Sequence, residues 1–314
     1  MYPPLLVKRR EEMNRGNTSI PKFPNDARVC FVGDSLTACS FWVQFVHEYY
    51  LANVPGSQLR VYNGGIGSAT IDFMMNYIEE NVMVWDPTHV VIMFGANDMM
   101  HYHGDDEQRT NAMYNDLKRI TDEFIGRGIK VYLATEPNYY HDMELVRNGT
   151  LRLAQEYGIE YCDFFTLFDP YMKKYFDEVI SDDRIHFSYI GECVIARLFL
   201  YSQGFDIDIE DEEKMLERME MSYFGDRKNI FDRKLRAMWF AEALILIAVI
   251  GQPVEAKMKR LMGRIPTRAD GAWGDLEFFR AIDYIEIRPN MDRYIQQVEA
   301  ATELMLAEAA KKAE

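Results

Sequence analysis

Ala27-Arg28-Val29-Cys30-Phe31-Val32-Gly33-Asp34-Ser35-Leu36 is the stretch on which the fold turns. An apolar run broken only by Arg28 ends in a glycine. A helix-length segment, Phe41 to Leu51, follows shortly after. A short run without polar alternation reads as a strand buried on both faces. The unit recurs along the chain. Runs 58–63, 88–95, 128–135 and 158–165 are short, mostly apolar and bounded by Gly, Asn, Asp or Pro, with helix-length segments 71–82, 105–128 and 143–158 between them. A last helix is predicted from Tyr189 to Tyr201. Strand–helix alternation predicts a three-layer α/β/α architecture, a parallel sheet of about five strands with helices on both faces.

Beyond residue 205 the pattern changes. Residues 206–229 are strongly charged, and the segments that follow, including Ala237 to Ile250, are helical by period and show no strand pattern. The chain therefore divides into an N-terminal extension (1–26), a sheet domain (27–205) and a helical C-terminal region (206–314). The most apolar run, Ala243 to Ile250, is too short to cross a bilayer. Its apolar character points to burial on the sheet domain, on its own helices or in a homo-oligomer formed through this region.

Composition narrows the partners. Thirty-five basic against fifty acidic residues give a net charge of −15. So acidic a surface repels a phosphate backbone and an anionic membrane face, so neither nucleic acid nor membrane is expected as a partner. The first residues carry their charges after their apolar positions, the wrong order for a secretory signal. Cys30, Cys39, Cys162 and Cys193 lack CxxC spacing and read as buried thiols. Together these features point to a cytoplasmic protein.

Chemistry-bearing residues gather at the predicted strand ends. Ser35 stands where the first strand turns into a helix, with its hydroxyl accessible and its backbone N–H at a helix start. Both suit a nucleophile, and both also suit a simple N-cap serine. The second run ends in Asn63-Gly64-Gly65-Ile66-Gly67-Ser68, whose glycines let backbone N–H groups approach a ligand or merely make a tight turn. The third ends in Gly95-Ala96-Asn97-Asp98, where the Asn97 amide can donate into the same crevice. Asp183 and His186 stand three apart before the last helix. That spacing lets a carboxylate fix one ring nitrogen while the other faces a serine. His101 and His103 could share a metal, but no third ligand is evident, and a loop or substrate contact is the better reading. His47, mid-helix among aromatics, reads as a packed residue. Met74, Met75, Met99 and Met100 crowd two strand ends and could form an adaptable apolar acyl pocket, with core packing the better default.

Taken in order, these blocks resemble the GDSL or SGNH hydrolases, marked by GDSL, a glycine-containing loop, GxND and DxxH. The resemblance spans residues 27 to about 203. It implies a flavodoxin-like sheet with the first and third strands adjacent, and it leaves the helical C-terminal extension unexplained. It assigns Ser35 as nucleophile, Asp183 and His186 as acid and base, and an oxyanion hole built from Ser35, Asn97 and either Ser68 or Gly67. Ser68 occupies the place where the family usually has glycine. Neither a metal nor an organic cofactor is implied.

The function so implied is cleavage of a carboxylic ester through an acyl-enzyme on Ser35. The favoured substrate class is an acetyl or other short acyl ester of a small molecule or carbohydrate. Two alternatives remain at this point: an O-acyltransferase on the same fold, and a non-catalytic binding protein.

Overall fold

The computed structural model describes residues 19–38, 42–139, 141–180, 184–207, 299–300, 302–307 and 309–311. All five expected strands form: β1 (Arg28–Gly33), β2 (Arg60–Asn63), β3 (His89–Met93), β4 (Lys130–Thr135) and β5 (Tyr161–Asp163). They make one parallel sheet in the order β2-β1-β3-β4-β5. β1 lies between β2 and β3, so the chain reverses direction across the sheet there, and a crevice opens at the carboxyl ends of β1 and β3.

Successive residues of β1 point to opposite faces, and each face meets its own core. Val29 and Phe31 join one cluster with α2 (Trp42–Asn53), α8 (Phe164–Lys174) and α10 (Tyr189–Ser202). Cys30 and Val32 join the other, with α3 (Ile71–Asn76), α6 (Asp106–Gly126) and α7 (Met143–Tyr157). Helices thus cover both faces, which is why the strands carry no polar alternation. The first core is aromatic: Phe31 meets Trp42 edge-on with ring centroids 5.0 Å apart, and Phe199 lies 5.4 Å from Phe31. Such pairs add about 1 kcal/mol each beyond their buried area. Phe23, before β1, belongs to the same core; its N–H donates to the Tyr50 hydroxyl at 2.9 Å.

The elements differ from the sequence expectation in three places. The expected helix over 71–82 breaks at Tyr77 into α3 and α4 (Ile78–Asn81), followed by a 3-10 turn, Met83–Trp85. Phe164 and Phe165, which extend the fifth apolar run, instead open α8, because β5 stops after three residues. Four-residue helices also form at α1 (Ser35–Ala38), α5 (Ala96–Met99) and α9 (Phe176–Val179).

Among the described residues, no helix is long and apolar enough to cross a membrane. Most of the region read as helical, 208–298, lies outside the described residues, as does the interface suggested for it. The chain does return. In the helical stretch near the C-terminus, Arg60 Nη1 pairs with Glu299 Oε2 at 2.8 Å, Arg60 also pairs with Glu303, and the Tyr62 hydroxyl donates to Glu299 Oε1 at 2.9 Å. Thr302, Met305 and Leu306 are buried.

Candidate active site

β1 delivers Gly33-Asp34-Ser35 to the crevice, and the turn that follows is held by Asp34. Its carboxylate accepts the Leu36 N–H at 2.8 Å, and its carbonyl accepts from Thr37 at 3.1 Å and Ala38 at 2.8 Å. Ser35 is consequently the first residue of α1, partly exposed, with its N–H in the turn where helices lack internal acceptors. Trp42 braces this turn from below, its indole N–H donating to Leu36 O at 3.0 Å and its backbone N–H to buried Glu192 at 3.1 Å.

The glycine loop after β2 packs directly on α1. A Cβ at Gly65 would sit 2.4 Å from Ala38 N, so any side chain there would drive the loop off the nucleophile turn. Asn63 Nδ2 donates to Thr37 O at 2.8 Å, and Ile66 N donates to Gly33 O at 2.9 Å. Residues 66–69 form a β-turn closed by Ala69 N to Ile66 O at 3.1 Å. Ser68 holds its third position with φ of 63°, the left-handed region where glycine is favoured. That geometry explains why a glycine suits this place. Gly67 is buried and Ser68 exposed.

Between β3 and α5 stands Gly95, whose φ of 153° and contact with Val146 leave no room for a Cβ. The turn into α5 places the Asn97 amide nitrogen 2.9 Å from Asp34 Oδ2 and 3.1 Å from Ala69 O. Asn97 thus joins the first and second blocks. The neighbouring Asp98 accepts the Ile71 N–H at 2.9 Å.

His186 arrives from the loop before α10. An antiparallel bridge between Ile180 and Phe187, with Ser188 N donating to Val179 O at 2.9 Å, closes that loop. Ser188 caps α10 by accepting the Gly191 N–H at 3.1 Å. His186 is buried, and its Nε2 lies 2.8 Å from Ser35 Oγ. With the ring proton on Nδ1, Nε2 can accept the serine proton. Asp183 lies outside the described residues.

The structure therefore brings together Ser35, His186, Asn97 and the 66–69 turn. His101 and His103 are exposed beyond α5, and the intervening Tyr102 hydroxyl donates to Asp116 at 2.6 Å. His47 is fully buried and bonds Leu59 O through Nε2 at 2.7 Å. Of the four cysteines, Cys30, Cys162 and Cys193 are buried, and Cys39 lies outside the described residues.

One buried carboxyl, Glu136, escapes a motif-based reading. Glu136 follows β4, beside β3, and is 1% exposed, as is Asp34. Its Oε2 accepts the Ala96 N–H at 3.0 Å, and the Asp34 carboxyl is its close neighbour. Burial raises the Asp34 carboxyl to about 7, with the charge of Asp98 adding to the effect and the Leu36 N–H opposing it. Burial, then the charges of Asp34 and Asp98, push Glu136 well above the ordinary carboxylate range. Asp98 is raised to about 6, again chiefly by burial. The sequence signal for Glu136 was available: an acid at the carboxyl end of an apolar parallel strand, where such sheets place their ligands.

A family profile for GDSL-like lipases and acylhydrolases matches residues 31–192. An acetylxylan esterase from Geobacillus stearothermophilus is 24% identical over 213 residues, covering 59% of this chain and 97% of the relative. Among solved structures, a gut microbial diltiazem-metabolizing enzyme has a similar fold, with a TM-score of 0.53 and 24% identity. The match covers 60% of this chain and 49% of that one, so the chain spans about half the length of that relative. A structure of an acetyl xylan esterase from Geobacillus stearothermophilus is 26% identical with a TM-score of 0.49, over 58% of this chain and 96% of that one. The profile takes in more than half of the chain, including Asp34, Ser35, Asn97, Glu136 and His186, and the protein belongs to the GDSL-like lipase/acylhydrolase family of serine ester hydrolases.

Proposed function

We propose that the protein cleaves short acyl esters, acetyl esters of carbohydrates foremost, through an acyl-enzyme on Ser35. The observation that carries this reading is the 2.8 Å contact between His186 Nε2 and Ser35 Oγ at the crevice. His186 takes the Ser35 proton as Oγ attacks the ester carbonyl. The tetrahedral oxyanion is held by the Ser35 N–H, the Ser68 N–H and the Asn97 amide. The left-handed turn at Ser68 favours Ser68 over Gly67 as the second backbone donor, because it is the glycine-preferring position of the turn. His186 then passes its proton to the departing alcohol, leaving the acyl group on Ser35. A water gives its proton to His186 and its oxygen to the acyl carbon; the acid departs and Ser35 regains its proton. Asp183 orients the imidazole and stabilises its charged form.

The carbohydrate preference rests on the acetylxylan esterase relative, which matches over nearly its whole length. A fluorophosphonate should label the protein once, on Ser35, and Ser35→Ala should abolish labelling. A panel of acetylated xylo-oligosaccharides against longer acyl esters then tests the substrate class. Labelling that survives Ser35→Ala would place the nucleophile elsewhere. Faster turnover of long-chain esters than of acetylated sugars would overturn the substrate assignment.

A further inference from the structure

Asp34, Ala96 and Glu136 stand at the carboxyl ends of three adjacent strands, β1, β3 and β4. Glu136 is buried there without an ion pair among the described residues. Its Oε2 is satisfied by the Ala96 N–H at 3.0 Å and the Tyr139 hydroxyl at 3.4 Å. Its Oε1 is fully buried and meets no N–H or O–H donor among the described residues. An ionised Glu136 would leave that oxygen, and its charge, buried beside a second carboxylate, an arrangement that costs several kcal/mol. A proton on Oε1 removes the difficulty, because the O–H can then donate to the neighbouring Asp34 carboxylate. Asp34 in turn has a donor on each oxygen, the Leu36 N–H on Oδ1 and the Asn97 amide on Oδ2.

We infer that Glu136 is a positioning residue for the oxyanion hole: as a neutral acid it accepts the Ala96 N–H, donates its own proton to Asp34, and so keeps Asp34 as the anionic anchor that aims the Asn97 amide. The inference rests on the proposed oxyanion role of Asn97. The chain of contacts runs from β4 through Asp34 to Asn97 and fixes both ends of the Gly95-Ala96-Asn97 turn, at Ala96 by its backbone and at Asn97 by its side chain. Glu136 touches no reacting atom. Its effect reaches the reaction through the direction of one amide. That effect should fall on the tetrahedral intermediate rather than on substrate binding.

Glu136→Gln and Glu136→Leu separate this role from simple packing. A glutamine amide donates to Asp34 while its oxygen accepts the Ala96 N–H, so Glu136→Gln should keep kcat within about threefold of the wild type. Glu136→Leu loses both contacts, and kcat should fall by at least roughly tenfold with KM nearly unchanged, as expected when a transition-state interaction is misaligned. Two readouts do not depend on turnover. The wild-type protein above neutral pH should show the infrared carbonyl stretch of a buried protonated carboxyl, shifted in D2O and absent from Glu136→Gln. The Asn97 side-chain amide resonance, assigned by its loss in Asn97→Ala, should move in Glu136→Leu and hold its place in Glu136→Gln.

A folded Glu136→Leu protein with wild-type kcat overturns the inference. So does a glutamine variant as slow as the leucine one, or wild-type protein without the infrared band. Should Glu136→Leu fail to fold, the glutamine variant and the infrared band decide the matter by the same criteria. If the wild type hydrolyses no ester and takes no fluorophosphonate, it is the functional reading that fails. The infrared band and the Asn97 resonance still decide whether Glu136 holds the proton and the amide.

Discussion

The Asn97 amide nitrogen lies 2.9 Å from Asp34 Oδ2 and 3.1 Å from Ala69 O, so its two protons are already engaged in the free protein. An oxyanion at the proposed site would share or replace the longer contact, to Ala69. Asp34 keeps the amide in place while that exchange occurs.

Asn97→Ala should therefore lower kcat by roughly 10²–10³-fold with a much smaller change in KM. It should also lower the melting temperature, because Asp34 Oδ2 loses its donor. Asn97→Asp should be worse on both counts, since it sets another carboxylate among Asp34, Asp98 and Glu136. Steady-state kinetics with thermal melts check the pair. An alanine variant of wild-type kcat would remove Asn97 from the oxyanion hole.

Ser68 gives a test of backbone strain. A left-handed non-glycine residue costs roughly 1–2 kcal/mol, part of which glycine returns through its freer unfolded chain. Ser68→Gly should leave the turn intact and stabilise the fold by up to about 1 kcal/mol. Ser68→Ala should retain most of kcat because the N–H stays, whereas Ser68→Val should destabilise at this φ. Loss of stability in the glycine variant would show that the Ser68 side chain contributes more than its backbone costs.

His47 should make stability depend on pH. Burial is the main cause that holds its imidazole down to about 3, with the nearby charge of Arg60 acting in the same direction and the bond to Leu59 O against it. The unfolded chain takes up a proton near the ordinary histidine value of about 6.5, whereas the folded chain refuses it until near 3. The contribution is thus full above about 6.5 and declines as pH falls toward 3, at about 1.4 kcal/mol per unit. His47→Gln keeps a donor for Leu59 O and does not titrate. Between pH 6.5 and 4.5 the wild type should lose about 2 kcal/mol more than the variant in urea unfolding. Parallel curves would rule this out.

Arg60 and the C-terminal stretch should separate ionic from apolar anchoring. The Arg60 pairs are partly exposed, with Glu303 62% exposed, so Arg60→Ala should cost at most about 1 kcal/mol. Removing residues 299–314 also strips away Thr302, Met305 and Leu306. Met305 alone is worth about 2 kcal/mol at full burial. Thermal melts of both variants, with hydrogen exchange across 299–311 in Arg60→Ala, report the two contributions. A deletion no worse than Arg60→Ala would mean the apolar contacts are idle.

The sheet was legible because burial on both faces forces an unbroken apolar run, and the five runs at 27–33, 58–63, 88–95, 128–135 and 158–165 stand out from their polar surroundings. Ser35, Asn97 and His186 were legible because each ends or follows an element with a fixed place at the crevice. What stayed hidden depends on tertiary distance. α8 begins at Phe164 and carries Pro170 inside it, so its start merges with an apolar run and its middle reads as a breaker. Glu136 has no sequence partner; its meaning comes from lying one strand beyond Ala96 and across from Asp34. The return of residues 299–311 to β2 depends on pairing Arg60 with acids more than two hundred residues away.

That return brings the described residues on either side of 208–298 to one body. Ile207 at one border is buried, and at the other Glu299 is tied to Arg60 and Tyr62. Both borders are thus held on the same body. Holding two such borders together costs entropy that grows only with the logarithm of the number of residues between them. Among the described residues, the 299–311 helix is fastened to β2 by side chains, the polar contacts of Arg60 and Tyr62 and the buried Thr302, Met305 and Leu306.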